Sequence, residues 1–391
     1  MSHCRNPLHC IIPPHMLEHL ATHTDDGLRG RAFQALTTSA HMRGRRELLG
    51  LLPMGAPSGG KRRTIYDASK SMTLPGKLVR GETDPESSDS AVNEAYDGLG
   101  ATYDLYHDVF GRSSIDNKGL RLDATVHYGT EYDNAFWDGQ QMVFGDGDAV
   151  IFSHFTGSID VIGHELTHGV TQYDAGLEYQ GQPGALNESM SDVFGSLVKQ
   201  YHNNQSAADA DWLIGAGILA KGIKGVALRS MKAPGTAYHD SQLGDDPQPA
   251  TMSKLDPTTS DNGGVHINSG IPNHAFYLLA TALGGNAWED AGHIWYSTLR
   301  ALHPQSDFLS CANMSYGVAG ALFGSGSKQQ QAVRDAWDGV GIKVATGPQA
   351  AAPKVRRGAP AIETGGTHLE QRLEKLTDEL SRLVDVLSKK K

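Results

Sequence analysis

Residues 164–168 read His-Glu-Leu-Thr-His, and Glu188 stands twenty residues beyond the second histidine. Side chains four apart lie one above the other on a helix, whereas a strand would carry them roughly 13 Å apart. Only a helix therefore lets His164 and His168 share one metal ion. A third ligand at Glu188 must then arrive from a second helix folded back on the first, with the turn in residues 176–184, where Gly176, Gly181 and Gly184 stand. Two histidines and one glutamate leave a fourth position open, as in catalytic zinc sites; structural sites usually close with four protein ligands. Glu165, next to the first ligand, is placed to act on a water at the metal without binding it. Asp192, one turn after Glu188, falls on the same face and can accept the far N–H of a ligand histidine. Without Glu188 the five-residue pattern also fits an amphipathic helix with surface histidines, and Asp192 an ordinary solvated carboxylate.

The rest of the 391 residues is organised around that pair. Such a length suits two or three domains, and 39% hydrophobic residues suffice for a core. Residues 1–52 form a first unit, of which 1–45 read as short and helical, begun by Pro13-Pro14 and carrying Met16, Leu17 and Leu20 at helical spacing. Residues 53–63 are a Pro/Gly/Ser-rich linker ending in three basic residues, a processing region. From 64 to 159 short aromatic-bearing segments alternate with Gly, Asp and Asn, which predicts a β-rich lobe with one helix near 91–110. From 160 to 344 helical patterns dominate. A second linker, 345–366, precedes Leu369, Leu373, Leu376, Leu380, Leu383 and Leu387, an a/d seam about three heptads long over 367–391. That segment predicts a short coiled coil and self-association, with docking on the body as the other reading.

Charge separates along the chain. Residues 1–63 carry +5, 345–391 carry +3, and 64–344 carry −18. So acidic a body repels phosphates and excludes a nucleic acid partner. It also offers a seat for the basic N-terminal segment; a mobile basic tail is the alternative. No apolar run approaches the ~18 residues of a membrane span, and three cysteines are too few for a disulfide framework. Pro13-Pro14 breaks the first apolar patch, so no secretory segment is read there, and the chain is expected in the cytoplasm at synthesis, with export by a non-standard route as a further option.

His164–His168 with Glu188 in an Asn-Glu-(three residues)-Asp frame resembles the thermolysin-like zinc metallopeptidases. Asn134-Ala-Phe-Trp137, Met142–Asp148, Leu228-Arg-Ser-Met231 and Asp261–Gly270 agree in order and spacing, so the resemblance spans about 64–344. It implies an α+β, two-lobed protein, β-rich then mainly α-helical, with the zinc helix between the lobes. It implies a neutral endopeptidase acting on peptides or proteins through one zinc ion. By resemblance, Tyr179 and His266 donate to the oxyanion, Asp261 holds His266, Asn187 supports His168 and Asp192 supports His164. Arg229, Asn134 and Ala135 hold the peptide backbone. Phe152, Phe155, Val161 and Leu228 wall the pocket for a large apolar residue after the scissile bond, shallower than usual because of Phe155.

Pro13, Pro14 and Leu17 match the prosegment motif of the protealysin-like branch, which implies a self-cleaving zymogen cut between about 40 and 63. Cys4, His9 and Cys10 are metal-ligand types in that segment, able to cap the zinc but favoured as reduced groups on a mobile tail. The family's calcium cluster is expected to be lost, because Lys199 stands where a bridging glutamate is needed beside Asp160. Restraint on the enzyme would come from the prosegment or a dedicated protein inhibitor. Rival readings are an idle scaffold assembled through 367–391 and a zinc hydrolase of non-peptide substrates.

Overall fold

In the computed structural model, which describes residues 9–49 and 59–345, the short strands of the N-terminal half pair into one sheet. They are β1 (His9–Cys10), β2 (Arg63–Asp67), β3 (Lys77–Gly81), β4 (Leu122–Val126), β5 (Ala135–Trp137) and β6 (Met142–Phe144). Their order is β1-β5-β6-β4-β2-β3. Strand β4 runs parallel to β2 and β6, and the other pairs are antiparallel. Cys4, most of the linker at 53–63, and the leucine seam at 367–391 lie outside the described residues. The first catalytic strand begins at Arg63, one residue before the expected boundary.

The N-terminal unit is helical as its spacing predicts. Helix α1 (Pro14–Leu20) starts at the Pro-Pro pair and buries Met16, Leu17 and Leu20, and α2 spans Asp26–Leu49. What its sequence hid is the two-residue strand before them. Cys10 sits opposite Phe136 in β1 and is buried, so the expectation of thiols on a mobile tail fails at this residue. The reason is the unpaired edge of β5, whose N–H and C=O groups bind any extended chain laid beside them. The basic segment also finds its acidic seat. Arg31 on α2 reaches Asp148 at 3.1 Å and Glu131 at 3.2 Å, with Asp133 at 4.0 Å.

Helix α3 (Ser90–Asp104) is capped by Asp89, whose carboxylate accepts the Ala91 N–H. It crosses α4 (Ile159–Tyr173) closely, because at Gly98 a β-carbon would lie 2.2 Å from Ile162 Cδ1. After a turn at 174–180, α5 (Gly181–His202) returns against α4. Here the close approach is at Gly195, where a β-carbon would stand 2.4 Å from the Asp160 carbonyl oxygen and 3.0 Å from the His164 nitrogen. Both helices are buried around nearly their whole circumference, so their polar residues are held inside the protein and not on its surface. Helices α6 (Asp261–Asn268), α7 (Gly270–Leu283), α8 (Asp290–Leu299), α9 (Phe308–Phe323) and α10 (Lys328–Gly339) complete the C-terminal half. Trp295 stacks on Trp337 there, and no helix among the described residues is long and apolar enough to cross a membrane.

One ion triad ties the N-terminal half together. His127, at the end of β4, places Nδ1 2.7 Å from Asp146 and Nε2 2.8 Å from Asp89, the cap of α3. Only the imidazolium can donate from both nitrogens. The Asp146 bond, opposed by burial and joined by Asp89, raises the pKa of His127 to about 9. A raised folded-state pKa gives stability that is complete below the ordinary value of 6.5 and is lost as pH climbs through 9. Allowing for partial exposure, the loss should be about 1–2 kcal/mol. Melting curves should therefore fall between pH 6.5 and 9.5 for the wild type and be flatter in this window for His127→Gln; equal slopes would dismiss the role of His127.

Candidate active site

On α4, His164 and His168 turn their Nε2 atoms toward one point, 3.0 Å apart. Glu188 on α5 brings Oε2 to 3.5 Å from the first and Oε1 to 3.6 Å from the second. All three are buried, and among the described residues they form the group able to hold a metal. The Cys10 thiol is not part of it. Behind the ligands, His164 Nδ1 is 2.8 Å from Asp192, and His168 Nδ1 is 2.8 Å from Asn187 Oδ1 and 3.0 Å from Ser191 Oγ. Proton-bearing Nδ1 atoms leave both Nε2 lone pairs facing each other and a carboxylate. That arrangement is repulsive until a cation sits between them, so the donor set fits zinc.

Asp192 serves more than His164. Arg229, in the short strand β7 (Arg229–Ser230), grips it with Nε and Nη2 at 2.8 Å each, and Asn273 on α7 donates to it at 2.8 Å. Burial alone would raise the pKa of this carboxyl, but Arg229 and His164 hold it at about 2. The Asp192 carboxylate thus fixes a histidine of the metal-binding group and the Arg229 guanidinium at once.

Asp261, Asn262, Gly263 and Gly264 are all left-handed, with φ of 52°, 50°, 81° and 73°. Glycine removes the steric cost at the last two, and Asp and Asn tolerate it. This turn lays the Asp261 carboxylate against His266, one oxygen 2.7 Å from Nδ1 and the other accepting the backbone N–H at 2.8 Å. Burial opposes the imidazolium, but Asp261 and Glu188 raise the pKa of His266 to about 9, so Nε2 stands as a donor. Tyr179 hydroxyl donates to Glu188 and lies 3.2 Å from His266 Nε2. Glu165, fully buried beside the metal ligands, accepts the backbone N–H of Trp137 at 3.2 Å.

A peptide already lies along this site. The Ile11 N–H donates to Ala135 O at 3.3 Å, and the Ile12 N–H to Asn134 Oδ1 at 3.2 Å. The Cys10 carbonyl is 3.3 Å from His266 Nε2, and the Ile11 carbonyl accepts from Arg229 Nη1 at 3.1 Å. His15, two residues beyond the Pro pair's first member, meets the Tyr238 hydroxyl at 3.0 Å. Ile11 is completely buried, in the same apolar cluster as Phe152, Phe155, Val161 and Leu228.

Asn134, Ala135, Tyr179, Asn187, Asp192, Arg229, Asp261 and His266 thus bond to the metal-binding side chains, to one another or to the Cys10–Ile12 segment, and Glu165 to Trp137, while Phe152, Phe155, Val161 and Leu228 lie buried in the core. Sequence reasoning missed Asn273, Ser191, the Trp137 N–H and the Cys10–Ile12 strand. The first three act through bonds across the fold that no local spacing announces. Ile11-Ile12 just before Pro13-Pro14 was a usable signal, an apolar β-branched pair stopped by residues that cannot donate. His154 is a loop histidine facing Glu94 at 3.1 Å, as expected. Lys199 puts its ammonium 2.9 Å from Asp160, 2.9 Å from Asp211 and 2.7 Å from the Leu213 carbonyl.

Comparison with known proteins settles the family. Residues 58–172 match the catalytic domain of thermolysin metallopeptidases, and residues 175–342 their alpha-helical domain. The chain belongs to the thermolysin metallopeptidase family. It is a zinc metalloendopeptidase with that family's sheet-rich N-terminal and helical C-terminal architecture. It is 50% identical over 347 residues to an extracellular metalloprotease of Pectobacterium carotovorum subsp. carotovorum, covering 86% of this chain and 97% of the relative. It is 56% identical over 286 residues to protease PrtS of Photorhabdus sp. (strain Az29), covering 72% and 76%. Among solved structures, the precursor of protealysin from Serratia proteamaculans superposes with a TM-score of 0.78 at 54% identity, covering 85% of this chain and 99% of that one.

For a thermolysin-family site, the Asp192 bonds carry a direct consequence for the metal. Asp192→Asn should weaken zinc binding by roughly 10–100-fold, read by chelator competition on protein whose circular dichroism matches wild type. Unchanged affinity would show that His164 is oriented without Asp192.

Proposed function

We propose that this chain is a zymogen whose residues 1–52 occupy the active site until the enzyme cuts itself free between about residues 40 and 63. The observation that carries the reading is the Cys10–Ile12 segment, whose backbone uses the donors and acceptors a substrate would use. His164, His168 and Glu188 would hold one zinc ion, which would supply Lewis acidity toward the scissile carbonyl and toward water, lowering the pKa of the latter toward ~7. Glu165 takes the proton of the attacking water and delivers it to the leaving amine, with Trp137 N–H fixing one of its oxygens. His266 and Tyr179 donate to the oxygen that gains charge as the carbonyl is attacked, each worth on the order of 10²–10³ in rate. Asn134, Ala135 and Arg229 align the peptide, and Asp192, Asn187 and Asp261 hold the histidines.

Complete burial of Ile11, whose carbonyl is held by Arg229, supports a preference for a large apolar residue after the scissile bond, with Phe152, Phe155, Val161 and Leu228 as the walls the family resemblance implies. The buried Lys199 ammonium between Asp160 and Asp211 supports a protein that needs no calcium there, since it supplies the charge a divalent cation would bring. A dedicated protein inhibitor, self-association through 367–391 and a cytoplasmic start followed by non-standard export extend the same reading from the sequence.

Intact mass of wild type and Glu165→Ala after overnight incubation tests the core of this proposal. Wild type should lose an N-terminal piece of roughly 40–60 residues while the variant stays whole; loss in both would assign processing to a contaminating protease. For calcium, the melting temperature should not move on adding the ion, and Lys199→Ala should cost about 1–3 kcal/mol by taking the cation from buried Asp160, which keeps hydrogen bonds from Ser158, Val161 and Gly215. A calcium-dependent rise in the wild-type melting temperature would refute the replacement.

A further inference from the structure

The prosegment delivers one charged side chain to the body at a place that outlasts it. Arg31 sits among Glu131, Asp133 and Asp148. Asp148 is held in position by the catalytic body alone, its Oδ1 accepting the backbone N–H groups of Val150, Ile151 and Phe152 at 2.9, 2.7 and 3.1 Å. Its other oxygen points at Arg31. Asp133 is only 4% exposed, and its Oδ1 meets no hydrogen-bond donor even with Arg31 in place. Burial and the neighbouring Asp148 raise its pKa to about 8, with Arg31 opposing. The buried Asp148 carboxylate is costly without a cation, losing the prosegment would remove its partner, and an incoming cation would draw Asp133 into its charged form. Glu131, about half exposed, stands where the pocket meets solvent.

The pocket also lies on the path of a substrate. Moving forward from Cys10 to Ile12 along the bound segment means moving back from Phe136 through Ala135 to Asn134, just before the start of β5. If the Cys10–Ile11 bond marks the point of cleavage, the third residue after it faces Asp133. The prosegment cannot continue, because Pro13-Pro14 turns it into α1, and Arg31 returns from α2 to fill the space. We propose that, in the processed enzyme, this pocket is a subsite for an arginine or lysine side chain three or four residues beyond the scissile bond, with Arg31 its internal occupant beforehand. The proposal rests on the prosegment-removal reading above.

The test uses processed enzyme, with the prosegment removed by the enzyme itself or by limited trypsin and its loss checked by intact mass. A failure to self-process is thus seen at that step and leaves the next comparison standing. Peptides of one sequence with an apolar residue after the cleaved bond, carrying Arg or Gln at the third or fourth position beyond it, are compared by kcat/KM. Wild type should favour Arg roughly tenfold, less at high salt. Glu131→Gln and Asp133→Asn should each reduce that ratio to about twofold or less while cutting the Gln peptide as wild type does. An Arg/Gln ratio near one in wild type, or a ratio both variants leave intact, would overturn the proposal.

Discussion

The Asp192 carboxylate is shared by three side chains from three separate parts of the chain, and the working site hangs on that sharing. One oxygen accepts from His164 and Arg229, the other from Arg229 and Asn273. None of these groups meets water, so each charge is compensated only by the others. The bonds connect the metal helix, the helix that returns against it, the β7 strand and α7. His164 and the arginine that holds the Ile11 carbonyl are consequently set by one anion, which couples the geometry of the metal-binding group to the position of the segment laid along it.

That anion can reach its partners only because the backbones are close. Gly195 lets α5 touch α4 at the level of His164, and Gly98 lets α3 do the same one layer out. The left-handed run at Asp261–Gly264 is the equivalent device for His266, turning the chain sharply enough for Asp261 to hold both the ring and the backbone of the same residue. The site is therefore built from small residues as much as from reactive ones.

Much of this was legible because catalytic zinc demands residue types at helical intervals. His164, His168 and Glu188 could be read from spacing alone, and Asp192 from its place one turn later. The family resemblance supplied Tyr179, His266, Arg229 and Asn134, whose separations in sequence carry no periodic signal. Asn273 and Ser191 stayed hidden because a buried amide or hydroxyl looks like any other polar residue until its partner is known. Strand β1 was hidden for another reason. Two residues cannot display a period, and their extended form is imposed by β5 and not by local preference.

The place of β1 at the rim of the sheet bears on which proteins such an enzyme can attack. A chain recognised there adds itself as an outer strand, through main-chain groups that every amino acid carries. Helices and already paired strands cannot offer those groups, since they have spent them internally. A folded protein would then be cut only through the fraction of time its chain locally opens into an extended form. Resistance to this peptidase would track the local unfolding free energy of a target more closely than the number of favoured side chains in its sequence.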